Sequence, residues 1–367
     1  MTRVTVVTGG AGFVGSWLCA LRKRDHADER VIAFDNLSRA GSELNLPRLA
    51  AAGVEFVRGD VRDPASLEAL ASLGTVDLLI DCAAEPSVRA GYPAPTGGRM
   101  AGGPRELIDL NLGGTLNCLE FARARGARFV FLSTSRVYPI AALRALPLEE
   151  ADTRLILTPG ASGPGWSEAG ITTAFPTGGS RSLYGATKLA SELFVLEYAA
   201  TLGVEAVINR CGVLAGPWQM GKVDQGFLTL WAARHVYGGS LAYQGFGGRG
   251  LQVRDVLHVE DLHDLVERQL ADPGRHNGCV YNVGGGAANA VSLREATALC
   301  AAAAGRALTL GAAPDTHPAD IPWYVADNAD VTRATGWAPR RRVTTIVEEI
   351  VAWLHDHRRM LEPVLSR

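Results

Sequence analysis

The chain has 367 residues, with 36 lysines and arginines against 38 aspartates and glutamates, a formal net charge of -2. That length suits one large α/β domain with a smaller second lobe. The near balance of charge, with no basic run or tail, argues against nucleic acid as a partner. No apolar run reaches the ~18 residues of a membrane span, so no membrane association is expected. The six cysteines (Cys19, Cys82, Cys118, Cys211, Cys279, Cys300) are scattered, with no C-x-x-C pair. They read as buried reduced thiols in a cytoplasmic protein. The chain enters a strand pattern at once, which leaves no room for a signal peptide. No His/Cys/Asp cluster has metal-ligand spacing, so no metal is expected.

From Arg3 to Leu18 the sequence reads as a buried strand (Val4, Val6, Val7), a glycine-rich turn and a helix start. Gly9, Gly12 and Gly15 give the spacing G-x-x-G-x-x-G. Gly9 permits a sharp turn with positive φ. Gly12 lets backbone N–H groups approach a diphosphate, and Gly15 lets the helix lie close on the sheet. The helix N-terminus offers orphan N–H donors to an anion. Val31 to Phe34 is a second strand ending at Asp35. An acid about 20 residues past the last glycine is placed to accept the adenosine ribose hydroxyls. It would repel a 2′-phosphate, which favours NAD over NADP, although Arg39 keeps NADP open. Alone, Asp35 also reads as a turn residue before Asn36.

A helical stretch follows from Glu43 to Ala52, then a strand Val54 to Val57 closed by Gly59-Asp60. Asp60 reads equally as an acceptor under the adenine or as a helix cap shared with Asp63. Ser66 to Leu73 is a short helix, and Val76 to Ile80 a strand ending in Asp81-Cys82-Ala83-Ala84, small residues that leave space beside a cofactor. Helices over Glu106 to Arg125 and Leu183 to Leu202 alternate with strands Phe129 to Leu132 and Val204 to Asn209. This order predicts an α/β fold, a Rossmann-type doubly wound parallel sheet with right-handed crossovers. Beyond Arg210 the alternation fails. The expected division is a dinucleotide-binding domain over 1–210, with loop insertions at 85–104 and 139–181. Residues 211–367 form mostly a smaller, discontinuous substrate lobe, with some segments returning to the first domain. Loops this long are functional or disordered; a lid or specificity role is the preferred reading. Both long helices are apolar on more than one side, which predicts a second surface to bury against. A homodimer or homotetramer through helices 106–125 and 183–202 would supply it.

Tyr184 and Lys188 are four apart at the start of a predicted helix and share one face. Free tyrosine ionises near pH ~10. A nearby ammonium and a positively charged nicotinamide both favour phenolate, making Tyr184 a base candidate. Ser133-Thr134-Ser135 follows the strand Phe129 to Leu132, so its hydroxyls sit on the cofactor edge. A hydroxyl there can hydrogen-bond the substrate oxygen whose proton Tyr184 takes. Glycine loop, acid, hydroxyl cluster and Tyr/Lys pair stand in the expected order, and chance is a poor explanation of the set.

With those residues the chain resembles an extended short-chain dehydrogenase/reductase of the NAD-dependent sugar epimerase/dehydratase family, from Thr2 to about Trp353. The matched pieces are TGGAGFVG (Thr8 to Gly15), DNLSR (Asp35 to Arg39), GDVRD (Gly59 to Asp63), AAEPSV (Ala83 to Val88), NLGGTLN (Asn111 to Asn117), STSRVY (Ser133 to Tyr138), YGATK (Tyr184 to Lys188) and QVRDVLHVEDL (Gln252 to Leu262). Within the family, DNLSRAGSELNL, Thr134, DQG at Asp224 to Gly226 and QVRDVLH are most similar to the CDP-paratose (CDP-tyvelose) 2-epimerases.

The resemblance implies roles. Thr134, Tyr184 and Lys188 match the catalytic hydroxyl/Tyr/Lys set. Gly9, Gly12, Phe13, Val14, Gly15, Asp35, Asn36, Ser38, Arg39, Asp60, Val61, Ala83, Ala84, Ser133, Tyr184 and Lys188 are the implied NAD contacts. Glu85, Ser135, Arg136, Gln225 and Arg254 are the implied substrate contacts, with Arg254 clamping a nucleotide-sugar diphosphate through its forked guanidinium. Three features depart from the family pattern: Pro139 where glycine is common, Val213 where asparagine is common, and the region of His317 and Pro322 where a second diphosphate arginine is expected. All three lie on the substrate side. The implied activity is a nucleotide-sugar epimerase of carbohydrate biosynthesis. It would invert a sugar carbon by transient oxidation and re-reduction, and a CDP-sugar 2-epimerase fits best. The alternatives are a UDP-sugar 4-epimerase, another nucleotide-sugar dehydratase or dehydrogenase, or a non-catalytic NAD-binding regulator. A dehydratase usually has an acid after the threonine, where this chain has Ser135 and Arg136.

Overall fold

The β-branched run Val4-Thr5-Val6-Val7-Thr8 forms β1 (Val4–Thr8), buried at every position, as expected of a central parallel strand. A computed structural model of the protein describes residues 3–92, 103–221 and 226–366. In it β1 runs parallel between β2 (Arg30–Asp35) and β4 (Val76–Asp81). β3 (Glu55–Arg58) pairs parallel outside β2, and β5 (Arg128–Thr134) outside β4. With β6 (Ala206–Cys211) and β7 (Cys279–Val283) the sheet has seven strands in the order β7-β6-β5-β4-β1-β2-β3. The order runs outward in both directions from the β1/β4 pair, which makes that pair the switch point where doubly wound sheets bind ligands. The predicted fold class is therefore the observed one.

Thr8 and Asp81 end the two switch-point strands. The Thr8 hydroxyl donates to Asp81 at 2.7 Å, and the Thr115 hydroxyl to the other carboxylate oxygen at 2.8 Å. Helix α1 (Phe13–Asp25) follows β1 and buries Leu18, Cys19 and Leu21. The helix expected over Glu106 to Arg125 is interrupted. It runs as Pro104–Ile108, a π-helical turn Asp109–Gly113, and Gly114–Arg125. Gly113 and Gly114, where the widened turn passes into the next helix, keep right-handed helical φ/ψ. The later long helix spans Leu183–Thr201 and starts on Ser182, whose side chain accepts the Gly185 N–H at 3.1 Å.

The chain divides into two compact units. The first is Met1–Val137, Ser182–Arg210 and Leu262–Tyr281; the second is Tyr138–Arg181, Cys211–Asp261 and Asn282–Arg367. The stretch 139–181, expected as a loop, is folded and belongs to the second unit. It carries a short helix Ile140–Arg144 and two antiparallel hairpins, Leu148–Glu150 with Leu155–Leu157 and Trp166–Ser167 with Gly170–Ile171. Strands of two or three residues have no readable alternation, which is why glycine and proline dominate the sequence signal there. Of the other predicted loop, residues 93–102 lie outside the described residues. Its first part is anchored: the Tyr92 hydroxyl accepts the Leu183 N–H at 3.2 Å.

In the second unit, helices Phe227–Tyr237, Leu293–Ala304 and Val343–Asp356 pack on one another. A small sheet is built on Val253–His258, paired with Val213–Ala215, Ala290–Ser292 and Trp323–Tyr324. Asp255 and Asp261 staple this unit. Asp255 accepts the N–H groups of Gly286 and Ala326 at 3.0 and 3.1 Å, and burial pushes its carboxyl up to about 6. Asp261 accepts the N–H groups of Arg340 and Arg341, both at 3.0 Å. Cys82 and Cys279 are half-buried and the other four thiols buried. Among the described residues no helix is long and apolar enough to cross a membrane.

Candidate active site

The glycine turn is built from backbone packed against backbone. Gly9 has φ +62°, and a Cβ there would meet the Ala83 backbone at 3.0 Å. Gly15 behaves differently from its sequence reading. A Cβ on it would lie 2.2 Å from the Gly9 carbonyl oxygen, so it brings α1 against the turn itself rather than the sheet. Gly10, which the spacing did not single out, is as tight: its Cβ would lie 2.5 Å from Ala33 Cα in β2. The Gly9-Gly10 doublet was the available signal. α1 begins on Gly12 without a side-chain cap, and its first turn, which opens with the half-buried Phe13 and Val14, holds no acid. Its positive end is thus left to a ligand. A diphosphate fits such a cradle.

Asp35 ends β2 and has a second task. One carboxylate oxygen accepts the Ala11 N–H at 3.1 Å and the other the Leu37 N–H at 2.7 Å, so the acid also braces the turn. Burial holds its carboxyl above the usual range. Asn36 donates to Asp60 at 2.9 Å and accepts the N–H of Ser38, which is exposed; Arg39 is half-buried. Val61 is buried, and its carbonyl accepts the Asn117 side chain at 2.9 Å. Ala83 and Ala84 follow the end of β4, and the Ala83 N–H donates to Thr8 at 3.3 Å.

The Thr134, Tyr184 and Lys188 set lies within the first unit. Thr134 is the last residue of β5, and the helix Leu183–Thr201 packs on that strand. Tyr184 and Lys188 are both buried. The Lys188 ammonium sits over the Phe131 ring, 3.9 Å from its centroid, a favourable cation–π contact that fixes the amine. Thr134 accepts the Arg136 N–H at 3.2 Å, which leaves its own hydrogen to donate. Ser133 points to a different partner: its hydroxyl donates to Glu192 at 2.5 Å. Glu192 is in turn held by Arg210, with nitrogen–oxygen distances of 2.7, 3.0 and 3.1 Å. Phe131 with Lys188 and Ser133 with Glu192 therefore form two rungs between strand and helix. Glu192 went unread, although it lies one turn beyond Lys188 on the same face.

Asn111, in the π-helical turn, is another unread contributor. Its side chain accepts the Glu85 N–H at 2.9 Å and donates to the Glu85 carbonyl and the Thr187 hydroxyl, both at 3.2 Å. Ser135 and Arg136 lie half-buried in a 3₁₀ turn directly after Thr134. Gln225 lies outside the described residues. Arg254, in the second unit, donates to Asp320 at 3.0 Å and to the carbonyls of Ile321 and Val253 at 2.6 and 2.8 Å. No group of three His, Cys, Asp or Glu among the described residues is placed to hold a metal ion.

A doubly wound sheet with an uncapped glycine turn at its switch point defines a dinucleotide-binding protein. The family model described as "NAD dependent epimerase/dehydratase family" matches residues 5–284, and the chain belongs to that family. It is an enzyme family, and its cofactor is NAD. The chain is 29% identical to the CDP-paratose 2-epimerase of Salmonella typhi over 353 residues, covering 95% of this chain and 98% of that one. It is also 29% identical to a dTDP-glucose 4,6-dehydratase of Streptomyces griseus over 379 residues, covering 100% and 98%. Among solved structures it is similar to the UDP-glucose 4-epimerase of Thermus thermophilus in complex with NAD. That match has a TM-score of 0.72 and 27% identity, covering 96% and 99% of the two chains.

Proposed function

We propose that the protein is a nucleotide-sugar epimerase, with a CDP-linked sugar as substrate and C2 as the inverted centre. The observation that carries the reading is the buried Tyr184/Lys188 pair on the helix that packs on β5, the strand ending in Thr134. Tyr184 takes the proton of a ring hydroxyl, and Thr134 donates a hydrogen bond to the same oxygen. Lys188 keeps a positive charge beside the phenol and so favours its ionised form. NAD, when bound along the glycine turn, supplies the hydride acceptor and then the hydride donor, so turnover consumes no external reductant. The second unit serves as the substrate lobe, where Arg254 takes the diphosphate. The CDP-sugar assignment draws on the Salmonella typhi relative. It also draws on Ser135 and Arg136, which stand where a dehydratase has its acid. A dehydratase is the second reading, because a dTDP-glucose 4,6-dehydratase is equally identical to this chain.

The test is to incubate the purified protein with CDP- and UDP-sugars and follow products by NMR. An epimer with no lasting NADH absorbance is expected. A keto-deoxy sugar would replace the epimerase reading with the dehydratase, and NAD binding without turnover on any sugar would sink both.

We further propose that the protein assembles through the two long helices of the first unit. Ile108, Leu193, Phe194 and Leu202, which lie on or end these helices, are 39%, 63%, 42% and 46% exposed. They are the large apolar side chains left exposed among the described residues, and a cluster of this kind marks an interface. Light scattering is expected to give two or four times the 38.9 kDa of one chain. A monomer at micromolar concentration would refute the assembly.

A further inference from the structure

Lys188 is seated on a neighbour that attracts a cation yet carries no charge. The lysine is 2% exposed, and its ammonium lies 3.9 Å from the centroid of the Phe131 ring, which is fully buried. Phe131 is set firmly for this. It lies on β5, an interior strand of the sheet, level with Asp81 in the register of β4 and β5. Its ring stacks on Phe129, with centroids 6.4 Å apart and planes 18° apart.

The acids of the neighbouring elements are each engaged elsewhere. Asp81 takes the hydroxyl hydrogens of Thr8 and Thr115, one on each oxygen. Glu192, one turn beyond Lys188, takes the Ser133 hydroxyl and the Arg210 guanidinium. Burial pushes the Cys118 thiol, on the helix Gly114–Arg125, well above its usual range, so it stays neutral. A ring face attracts a cation through its quadrupole and has no net charge. It therefore fixes the ammonium without cancelling the field that the ammonium exerts on Tyr184, one turn earlier on the same helix face. A carboxylate in the same place would do the first and undo the second.

We propose that Phe131 is a positioning residue of the reaction: its ring face holds the Lys188 ammonium so that the whole positive charge acts on the Tyr184 phenol. This rests on the role of Tyr184 as the base proposed above.

The experiment follows the ionisation of Tyr184 directly, in the NAD-loaded protein, by carbon-13 NMR of ring-labelled tyrosine across pH. Of the eight tyrosine signals, Tyr184→Phe removes the one in question. Lys188→Met should raise the Tyr184 pKa by about 1–3 units, the shift that one close opposite charge supplies. Phe131→Leu should raise it by about half a unit to one unit, since the amine keeps its charge and loses its seat. The double variant should match Lys188→Met alone, because the ring acts only through the ammonium. Leucine also changes the packing, so the ring is varied at nearly constant shape as well. Mono-, di- and trifluorinated phenylalanine at position 131 draw electron density off the ring face in steps. The pKa should climb with each fluorine. The acid limb of kcat/KM for CDP-sugar epimerisation should move to higher pH with it, because the phenolate is the active form. A Tyr184 pKa indifferent to fluorination would overturn the inference. So would a Phe131→Leu shift that is just as large with Lys188 replaced. The expected pKa series without turnover on any CDP- or UDP-sugar would support the seat of the amine and overturn only the epimerase reading.

Discussion

Glu192→Ala is expected to lose about 3–5 kcal/mol of unfolding free energy, the range found when one partner of a buried ion pair is removed. Glu192 and Arg210 have side chains only 2% and 9% exposed. The truncation takes the Glu192 carboxylate away from the buried Arg210 guanidinium, and leaves the Ser133 hydroxyl without its acceptor. Exposed pairs make the contrast. Arg105 with Asp109 spans one helical turn at 2.7 Å, but the arginine side chain is 87% exposed, and solvent screening leaves such a pair little effect on stability. Urea unfolding followed by circular dichroism measures the difference. Replacing both buried partners by Glu192→Leu and Arg210→Met is expected to recover most of the loss, since apolar side chains of similar size then stand in for the buried pair. A Glu192→Ala protein within about 1 kcal/mol of the wild type would show that the pair is not held as described.

Tyr184→Phe is expected to lower turnover about 10²–10⁴-fold, the contribution of a positioned general acid–base group. At about 1.4 kcal/mol per decade this raises the barrier by roughly 3–5 kcal/mol. The ring is buried on the helix face that carries Lys188, so phenylalanine keeps the packing and removes only the ionisable oxygen. NAD retained per chain after gel filtration should be unchanged, which separates lost chemistry from lost cofactor. The readout is the same NMR assay of epimer formation. A variant with full turnover would remove Tyr184 from the mechanism.

The alternating first half of the chain was legible because parallel strands buried on both faces write themselves as short apolar runs. Val4 to Val7, Val31 to Phe34 and Phe129 to Leu132 are all such runs, and all are sheet strands. The glycine turn was legible because positive φ at Gly9 requires that residue. Contacts made across long sequence separations could not be read. The Ser133 hydroxyl donates to Glu192, 59 residues away, a contact that its sequence neighbours do not announce. Asp60 was left between an adenine acceptor and a helix cap, and its contacts with Arg62 and Asn36 were in neither reading. The stretch 139–181 looked like a loop because its pairings are two or three residues long, too short to show a period.

Asp35 carries a lesson for anyone wishing to retrofit this scaffold to the phosphorylated dinucleotide. Exchanging the acid for a neutral or basic residue would admit the extra phosphate, but it would also unhook the amides of Ala11 and Leu37. Cofactor preference and loop integrity are wired to one carboxylate. A successful redesign must therefore supply a new acceptor for those two amides at the same time, and single-site swaps at this position should yield a slack, poorly loaded protein rather than a converted one.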